Sequence, residues 1–192
     1  MFLQPLPLGI YTFLLCLYIY GIWNAEEKSP RDSDTIPVGE KEFAWIIQAM
    51  GLLWFLSLLL PYFTPPLQML PSTWALSIGV TISLFGTWFR AFAIRSLGDE
   101  FTYVLCIREQ HTLHQEGVYA YIRHPSYTGT FLEVIGMMIA VRSLWGLLLF
   151  LLGAGLMIGI RVEREERMLL EHFGPAYAEY MKRTKRFVPW LF

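Results

Sequence analysis

Two short stretches of the sequence carry residue types that could bind a polar ligand. The first, 117–129 ("GVYAYIRHPSYTG"), contains an arginine, a histidine and three tyrosines. The second, 160–166 ("IRVEREE"), places Arg161 and Glu165 four residues apart, and therefore on one face of a helix. Cationic, anionic and aromatic groups of this kind could orient a polar cofactor and an anionic substrate. A solvated ion pair would also explain Arg161 and Glu165, and Arg161 could simply anchor a membrane helix.

The sequence around His124 predicts a loop that presents polar side chains. A proline disfavours helical geometry in the residue before it, so Pro125 pushes His124 towards an extended conformation. Arg123 and His124 are then presented directly before an apolar run. A loop that meets lipid head groups is the simpler alternative.

Other kinds of site have no support in the sequence. No GxGxxG or Walker-type loop is present, which argues against a Rossmann or P-loop nucleotide site. Nothing indicates a Ser/His/Asp triad. Metal binding is not expected, because the histidines lack zinc-type spacing and the two cysteines lie far apart. These residues are His111, His114, His124, His172, Cys16 and Cys106.

The elements that must position these residues are too apolar for a soluble domain. Hydrophobic residues make up 55% of the 192 residues and charged residues 16%, where a soluble protein has about a quarter charged. The mean hydropathy is +0.42. Aromatic residues reach 16%, which suits a protein with two membrane–water interfaces. The net charge of -1 gives no indication of a nucleic-acid partner.

We therefore predict an all-α integral membrane protein of about five transmembrane helices. The spans are expected at 8–23, 43–63, 72–97, 127–141 and 144–159. The first is interpreted as a retained span, because no basic segment precedes it. Gly79 and Gly86 would permit close helix contact in the third span. An amphipathic helix is predicted from Ile160 to a stop at Gly174, followed by a second short helix.

The distribution of basic residues predicts the orientation. Basic residues occur at 24–42, at 98–126 and in the tail, whereas the turn at 64–71 has none. With five spans these segments share one face, predicted to be cytoplasmic, with the N-terminus outside. The last hairpin then brings His124 close to Glu165, and the C-terminal amphipathic helix completes a pocket on the cytoplasmic face. We expect N-terminal helices in 1–97 and a catalytic region in 98–192.

The two stretches also resemble a known family. "HTLHQEGVYAYIRHPSYTG", followed after an apolar hairpin by "EERMLLEHFGPAYAEYMKRTKRFVP", resembles the isoprenylcysteine carboxyl methyltransferases, within a wider group that includes phospholipid methyltransferases. The resemblance covers roughly residues 98 to 190. It implies S-adenosylmethionine as cofactor, with S-adenosylhomocysteine as product. The implied cofactor-binding residues are His111, Thr112, Leu113, His114, Tyr119, His124, Pro125, Ser126, Tyr127 and Glu165.

The resemblance further implies that Arg161 handles substrate and that Arg161 and Glu165 are catalytic. Methyl transfer is an in-line displacement, so the protein chiefly has to position two reactants. The acceptor would be lipidic and would enter from the bilayer. A prenylcysteine carboxylate is ionised at neutral pH and needs only a cation to orient it. A phosphatidylethanolamine amine would first have to lose a proton, to His124 or Glu166.

Two rival interpretations remain open at the level of sequence. A sterol reductase of related fold would use a nicotinamide cofactor, and a membrane scaffold would bind lipid head groups without a cofactor. We expect membrane lipids and a prenylated or otherwise lipidic substrate as partners, no nucleic acid, no metal, and a monomer. The identity of the membrane, the prenyl chain length and the exact acceptor do not follow from the sequence.

Overall fold

The computed structural model describes most of the second half of the chain. The described residues are 35–37, 49, 51–53, 55–57, 59–60, 63, 72–101, 106–108 and 112–189, with backbone alone at 35–37, 72, 99 and 106–108. The first predicted span, part of the second, and the predicted turn at 64–71 lie outside these residues. Helical backbone is present at 49, 51–53, 55–57, 59–60 and 63, within the second predicted span.

Four helices form the body of the described region. They are α1 (Ser72–Leu97), α2 (Pro125–Ala140), α3 (Leu144–Phe173) and α4 (Pro175–Arg183). A short 3-10 turn at Gly98–Glu100 follows α1, and another at Gly117–Ala120 precedes the loop formed by Arg123, His124 and Pro125, here named the RHP loop. The bounds of α1 coincide with the third predicted span. Its long apolar run and the prolines before it explain why the sequence located it well.

Close backbone contact between α1 and α2 fixes how the hairpin sits on the third span. A Cβ atom at Gly79 would collide with the backbone of Ala140, and one at Gly86 would collide with the backbone of Glu133. On the opposite helix, a Cβ at Gly136 would collide with the backbone of Ser83. The prediction that the glycines of α1 permit close contact is therefore confirmed.

The turn between α2 and α3 is tight and capped. Arg142 has a positive φ of 57° in this turn. Ser143 precedes α3, and its hydroxyl oxygen accepts a hydrogen bond from the Gly146 nitrogen at 3.0 Å. Behind the turn, α2 and α3 bury a shared apolar core. Its members are Val134, Met137, Met138, Phe150, Ala154, Ile158 and Val162.

The helix α3 is longer than the sequence analysis predicted. It runs without a break for 30 residues, so the last span and the charged helix after it are one element. Its first half is apolar, whereas its second half carries Arg161, Glu165 and Glu166. One rigid helix therefore connects the apolar layer to the polar site and aims both glutamates at the RHP loop.

Two of the described helices are long and apolar enough to cross a membrane, Thr73–Leu97 and Leu144–Phe173. The helix α2 has 16 residues, which is about 24 Å at 1.5 Å per residue. That length is less than the ~30 Å of a hydrocarbon core. The expected count of five spans is not tested by the described residues.

The structure contains a short two-stranded β-sheet that the all-α prediction did not include. Strand β1 (Thr35–Pro37) pairs antiparallel with strand β2 (Cys106–Arg108), with Ile36 opposite Ile107. Three residues on each side are too few to produce a recognisable alternating pattern, and the partners are about seventy positions apart along the chain. The ladder joins the first predicted basic loop to the polar region after α1.

Candidate active site

The RHP loop sits at the start of α2, where proline begins the helix. Pro125 occupies the first turn and His124 precedes it with φ -125° and ψ 58°, outside helical geometry. The C-terminal segment 184–187 runs beside this loop and holds it in place. Ile122 and Lys185 form a parallel β-bridge between the two segments. The Arg123 nitrogen donates to the Lys185 carbonyl at 2.8 Å, and the His124 nitrogen donates to the Arg186 carbonyl at 3.0 Å.

Glu165 lies at the centre of one side of the site. The Tyr127 hydroxyl donates to Glu165 Oε2 at 3.2 Å, and Arg161 Nε donates to the Tyr127 hydroxyl oxygen at 2.6 Å. His124 Nδ1 lies 3.7 Å from Glu165 Oε1. The Glu165 side chain is 25% exposed, so part of this carboxylate remains accessible to a ligand. Arg161 and Glu165 thus share a helix face, as predicted, and Tyr127 connects them.

Glu166 lies on the other side and is enclosed, with a side chain only 4% exposed. Its Oε1 accepts from Arg123 Nε at 2.9 Å and contacts His124 Nε2 at 3.3 Å. Its Oε2 accepts from Arg186 Nε at 3.0 Å and Nη2 at 2.7 Å. These hydrogen bonds raise the pKa of the Arg186 guanidinium. Glu166 is therefore a carboxylate fully occupied by the protein.

Arg123 adds a second set of contacts to this cluster. One of its Nη nitrogens donates to the carbonyl oxygens of Met181 and Thr184, and to the Thr184 hydroxyl at 3.2 Å. The guanidinium thus ties the RHP loop both to α3, through Glu166, and to the end of α4. A lysine could not make these contacts together, because it lacks the planar fork of donors.

Tyr119 is buried behind the site. Its hydroxyl donates to the Ala93 carbonyl of α1 at 3.2 Å, and its ring lies nearly perpendicular to the His114 ring, with 5.3 Å between the centroids. Burial and then the negative charge of Glu165 raise the pKa of Tyr119 well above its usual value. The hydroxyl of Tyr180 donates to the Tyr119 carbonyl at 2.7 Å, which joins this wall to α4.

The remaining residues implied by the resemblance are placed as follows. Pro125 is buried, Leu113 and Ser126 are half-buried, and Thr112 is exposed. The Thr112 hydroxyl donates a hydrogen bond at 3.0 Å to Glu100 Oε1, which belongs to the 3-10 turn after α1. His111 lies outside the described residues. The structure thus brings His124, Tyr127, Arg161 and Glu165 into contact and puts Tyr119 and His114 beside each other.

The cluster around Glu166 was not predicted. Helix geometry alone predicts that Glu163 and Glu166 point in other directions than Arg161 and Glu165, with at least one of them in solvent. Glu163 is exposed, whereas Glu166 is buried against Arg123 and Arg186. Position alone could not reveal this, because the arginines come from segments 43 and 20 residues away along the chain. The RxxP pattern at 186–189, part of the family resemblance, contains Arg186, but the pattern does not show that this arginine contacts Glu166.

The arrangement can hold two ligands of opposite charge next to each other. Glu165 offers a partly exposed carboxylate to a cation or a hydroxyl donor, with Tyr127 and His124 beside it. Arg161 offers a guanidinium to an anion, at the point where the apolar half of α3 ends. One polar and one lipidic reactant could therefore meet here.

Comparison with known proteins identifies what this region is similar to. A model of the isoprenylcysteine carboxyl methyltransferase family matches residues 77–171, from α1 through most of α3. A protein-S-isoprenylcysteine O-methyltransferase of Xenopus laevis is 33% identical over 121 residues, 62% of this chain and 42% of that protein. Protein-S-isoprenylcysteine O-methyltransferase B of Arabidopsis thaliana is 32% identical over 120 residues, 62% of this chain and 61% of that protein. The chain spans about half the length of these relatives.

A solved structure shares the fold. The eukaryotic intramembrane Ras methyltransferase superposes with a TM-score of 0.60 at 27% sequence identity, covering 81% of this chain and 55% of that chain. The family match includes α1 from residue 77 onward, the RHP loop and the glutamate pair. Residues 77–171 thus match the isoprenylcysteine carboxyl methyltransferase family, and the curated relatives and the solved structure support the same match.

Proposed function

We propose that this chain is an S-adenosylmethionine-dependent membrane methyltransferase that methylates the carboxylate of a C-terminal prenylated cysteine. The observation that carries the proposal is the row of hydrogen-bonded side chains Arg161, Tyr127 and Glu165. His124 of the RHP loop lies next to Glu165 in this row. The row joins both halves of the family's motif. It supplies a cation and an accessible carboxylate within one hydrogen-bonded unit.

The residues present fit a cofactor with amino, hydroxyl and aromatic groups. Glu165 and His124 can accept hydrogen bonds from its amino or hydroxyl groups, and Tyr119, Tyr127 and His114 contribute rings nearby. When bound, S-adenosylmethionine supplies a methyl group activated on a sulfonium. The rings of Tyr119 and Tyr127 can stabilise the positive charge of a sulfonium through their negative faces.

The task left to the protein is to orient the acceptor. A carboxylate is ionised at neutral pH, so no base has to remove a proton before it reacts. Arg161 can hold it with a planar guanidinium at the level where the apolar half of α3 meets the polar half. A prenyl chain attached to the acceptor would then extend along the apolar half of the hairpin.

The alternative acceptor, a phosphatidylethanolamine amine, receives less support. Of its two proposed proton acceptors, Glu166 is occupied by Arg123 and Arg186, whose positive charges favour its ionised form. An ionised carboxylate held by two guanidinium groups is a weak base. His124 remains as a possible base, and its Nε2 already contacts Glu166.

We also propose that the division at residues 97 and 98 is functional and not structural. Residues 98–192, which include the apolar hairpin and the C-terminal helices, would provide the cofactor and substrate contacts, and 1–97 the three N-terminal membrane spans. The hydrogen bond from Tyr119 to Ala93 and the glycine contacts between α1 and α2 support treating both parts as one folded body. We propose that the site faces the cytoplasm, because the tail that completes it is rich in basic residues.

The proposal is tested by calorimetric titration of the detergent-purified protein with S-adenosylhomocysteine. Saturable binding by wild type is expected, with Glu165→Gln and His124→Gln weakening it strongly. Glu163→Gln is the matched control, because it removes the same charge from an exposed position of the same helix. Arg161→Ala should retain binding and lose methyl transfer to a prenylcysteine. Folded wild type that does not bind, or equal loss in Glu163→Gln, would contradict the proposal.

A further inference from the structure

The cluster around Glu166 is outside the cofactor contacts implied above, yet it touches one of them. Glu166 accepts hydrogen bonds from two arginines, and their positive charges favour the ionised carboxylate. An ionised carboxylate accepts hydrogen bonds and cannot donate one. Its contact with His124 Nε2 at 3.3 Å is therefore favourable when Nε2 carries the proton.

A neutral imidazole carries one N–H, so a proton on Nε2 leaves Nδ1 as an acceptor. His124 Nδ1 points to the opposite side, where Glu165 Oε1 lies 3.7 Å away. That distance is too long for a hydrogen bond. Two acceptors then face each other, one on the buried His124 ring and one on the partly exposed Glu165 side chain. A ligand amino group, which carries more than one hydrogen, could donate to both.

The choice of tautomer depends on what holds Glu166 in place. Arg123 and Arg186 approach its two oxygens from different segments, the RHP loop and the C-terminal segment. Arg186 donates two guanidinium hydrogen bonds to Glu166 Oε2. Its backbone carbonyl also accepts a hydrogen bond from the backbone N–H of His124 at 3.0 Å. Phe187 follows, with its ring 6.1 Å from the imidazole. The C-terminal segment thus contacts His124 through its backbone, through a ring and through Glu166.

We propose that Arg186 is a positioning residue for the cofactor site, acting through Glu166 to keep the proton of His124 on Nε2 and its Nδ1 free to accept from the ligand. The groups that face the imidazole are Glu165 and Glu166 of α3, Tyr127 of α2 and Phe187 of the C-terminal segment. The inference rests on the proposed function for the identity of the ligand. The state of His124 itself can be measured without any ligand.

The test uses the full chain with nitrogen-15-labelled histidine in detergent. The sequence has four histidines, and a His124→Gln spectrum assigns the resonances of His124. Ring nitrogen shifts in wild type are expected to show a proton on Nε2 and a bare Nδ1. In Arg186→Gln the His124 signals should move towards the other tautomer, and Arg186→Lys should give a smaller change. A proton on Nδ1 in wild type would overturn the proposal.

Titration with S-adenosylhomocysteine gives the functional readout. Arg186→Gln is expected to weaken binding about tenfold, as loss of an outer hydrogen-bond partner does for metal-binding histidines. Methyl transfer at saturating cofactor should change little. The matched control is Lys182→Gln, which removes a positive charge from an exposed pair with Glu179 in the same region. If Arg186→Gln matches this control in both spectrum and affinity, Arg186 has no positioning role.

The two proposals fail in different ways. Wild type that does not bind S-adenosylhomocysteine would remove the proposed function, while the histidine spectrum would still decide the tautomer. Wild type that binds, combined with unchanged His124 signals in Arg186→Gln, would remove the positioning role alone. If Arg186→Gln does not fold, the His124 signals of wild type and Arg186→Lys are compared instead and decide whether Arg186 sets the tautomer.

Discussion

Glu165 and Glu166 are adjacent in sequence and have different environments. Successive residues on an α-helix point about 100° apart, so one carboxylate faces the open side of the site and the other faces the C-terminal segment. Glu165 keeps a quarter of its side chain exposed, whereas Glu166 is enclosed by Arg123, Arg186 and His124. The family resemblance already implied Glu165 as the ligand-binding member of the pair. The sequence could not show that Glu166 is enclosed, because that depends on arginines far away along the chain.

Two tyrosines of α4 allow a matched prediction at the same scale. The Tyr177 hydroxyl is buried and has no hydrogen-bond partner among the described residues, whereas the Tyr180 hydroxyl donates to the Tyr119 carbonyl at 2.7 Å. Burial raises the pKa of Tyr180 to about 12, so the hydroxyl keeps its proton at neutral pH. Tyr180→Phe leaves a buried carbonyl unsatisfied and should lower stability by about 1–2 kcal/mol.

Tyr177→Phe should leave stability unchanged or raise it, because it removes a buried polar group that gains nothing from the protein. Thermal unfolding in detergent, with the two variants side by side, measures the difference. The same samples should show unchanged affinity of Tyr177→Phe for S-adenosylhomocysteine. Weaker binding with retained stability would mean that this hydroxyl contacts the ligand. Equal destabilisation of both variants would mean that Tyr177 has a partner.

At the scale of elements, glycines determine where helices touch. The sequence marked Gly79 and Gly86 by their spacing, and both lie against the backbone of α2. Gly155 belongs to the same glycine-rich helix as Gly146 and Gly153, and among the described residues a Cβ there would meet no atom within 4 Å. Composition alone treats these glycines alike. The helix that each one faces decides which of them can accept a side chain.

We therefore expect opposite outcomes for two alanine substitutions. Gly136→Ala puts a Cβ into the backbone of Ser83 and should cost about 1–3 kcal/mol or more, because two helices have to move apart. Gly155→Ala should leave stability unchanged or improve it, since alanine has a helix propensity up to about 1 kcal/mol better than glycine. Melting temperatures of the purified variants provide the measurement. Equal loss in both would indicate that Gly155 also faces a helix.

At the scale of the whole molecule, the orientation of the chain still rests on its charge distribution. Basic residues concentrate in the tail that completes the site, while the turn between α2 and α3 has Arg142 alone. The helix α3 is long enough to cross the membrane, and α2 is short for a full span. The hairpin can reach the far side if α3 crosses fully and the turn lies near the opposite interface.

Single cysteines test this orientation in the intact membrane of host cells. In a background where Cys16 and Cys106 are serine, Lys182→Cys should react with an impermeant maleimide only after the cells are opened. Leu144→Cys, at the exposed start of α3, should react in intact cells. Labelling of both positions from the same side would show that the hairpin does not cross. Retained S-adenosylhomocysteine binding controls for folding.

Short windows of the sequence were enough to predict the bounds of α1, the apolar hairpin, the loop before Pro125 and the family that residues 77–171 match. These features depend on local apolar runs, proline geometry and motif spacing, all of which can be read within short windows. The tertiary structure alone decided that Glu166 is buried, that α3 is one helix through 30 residues, and that Arg186 contacts the RHP loop. Such outcomes depend on contacts between distant segments, where burial and paired charges outweigh local preference.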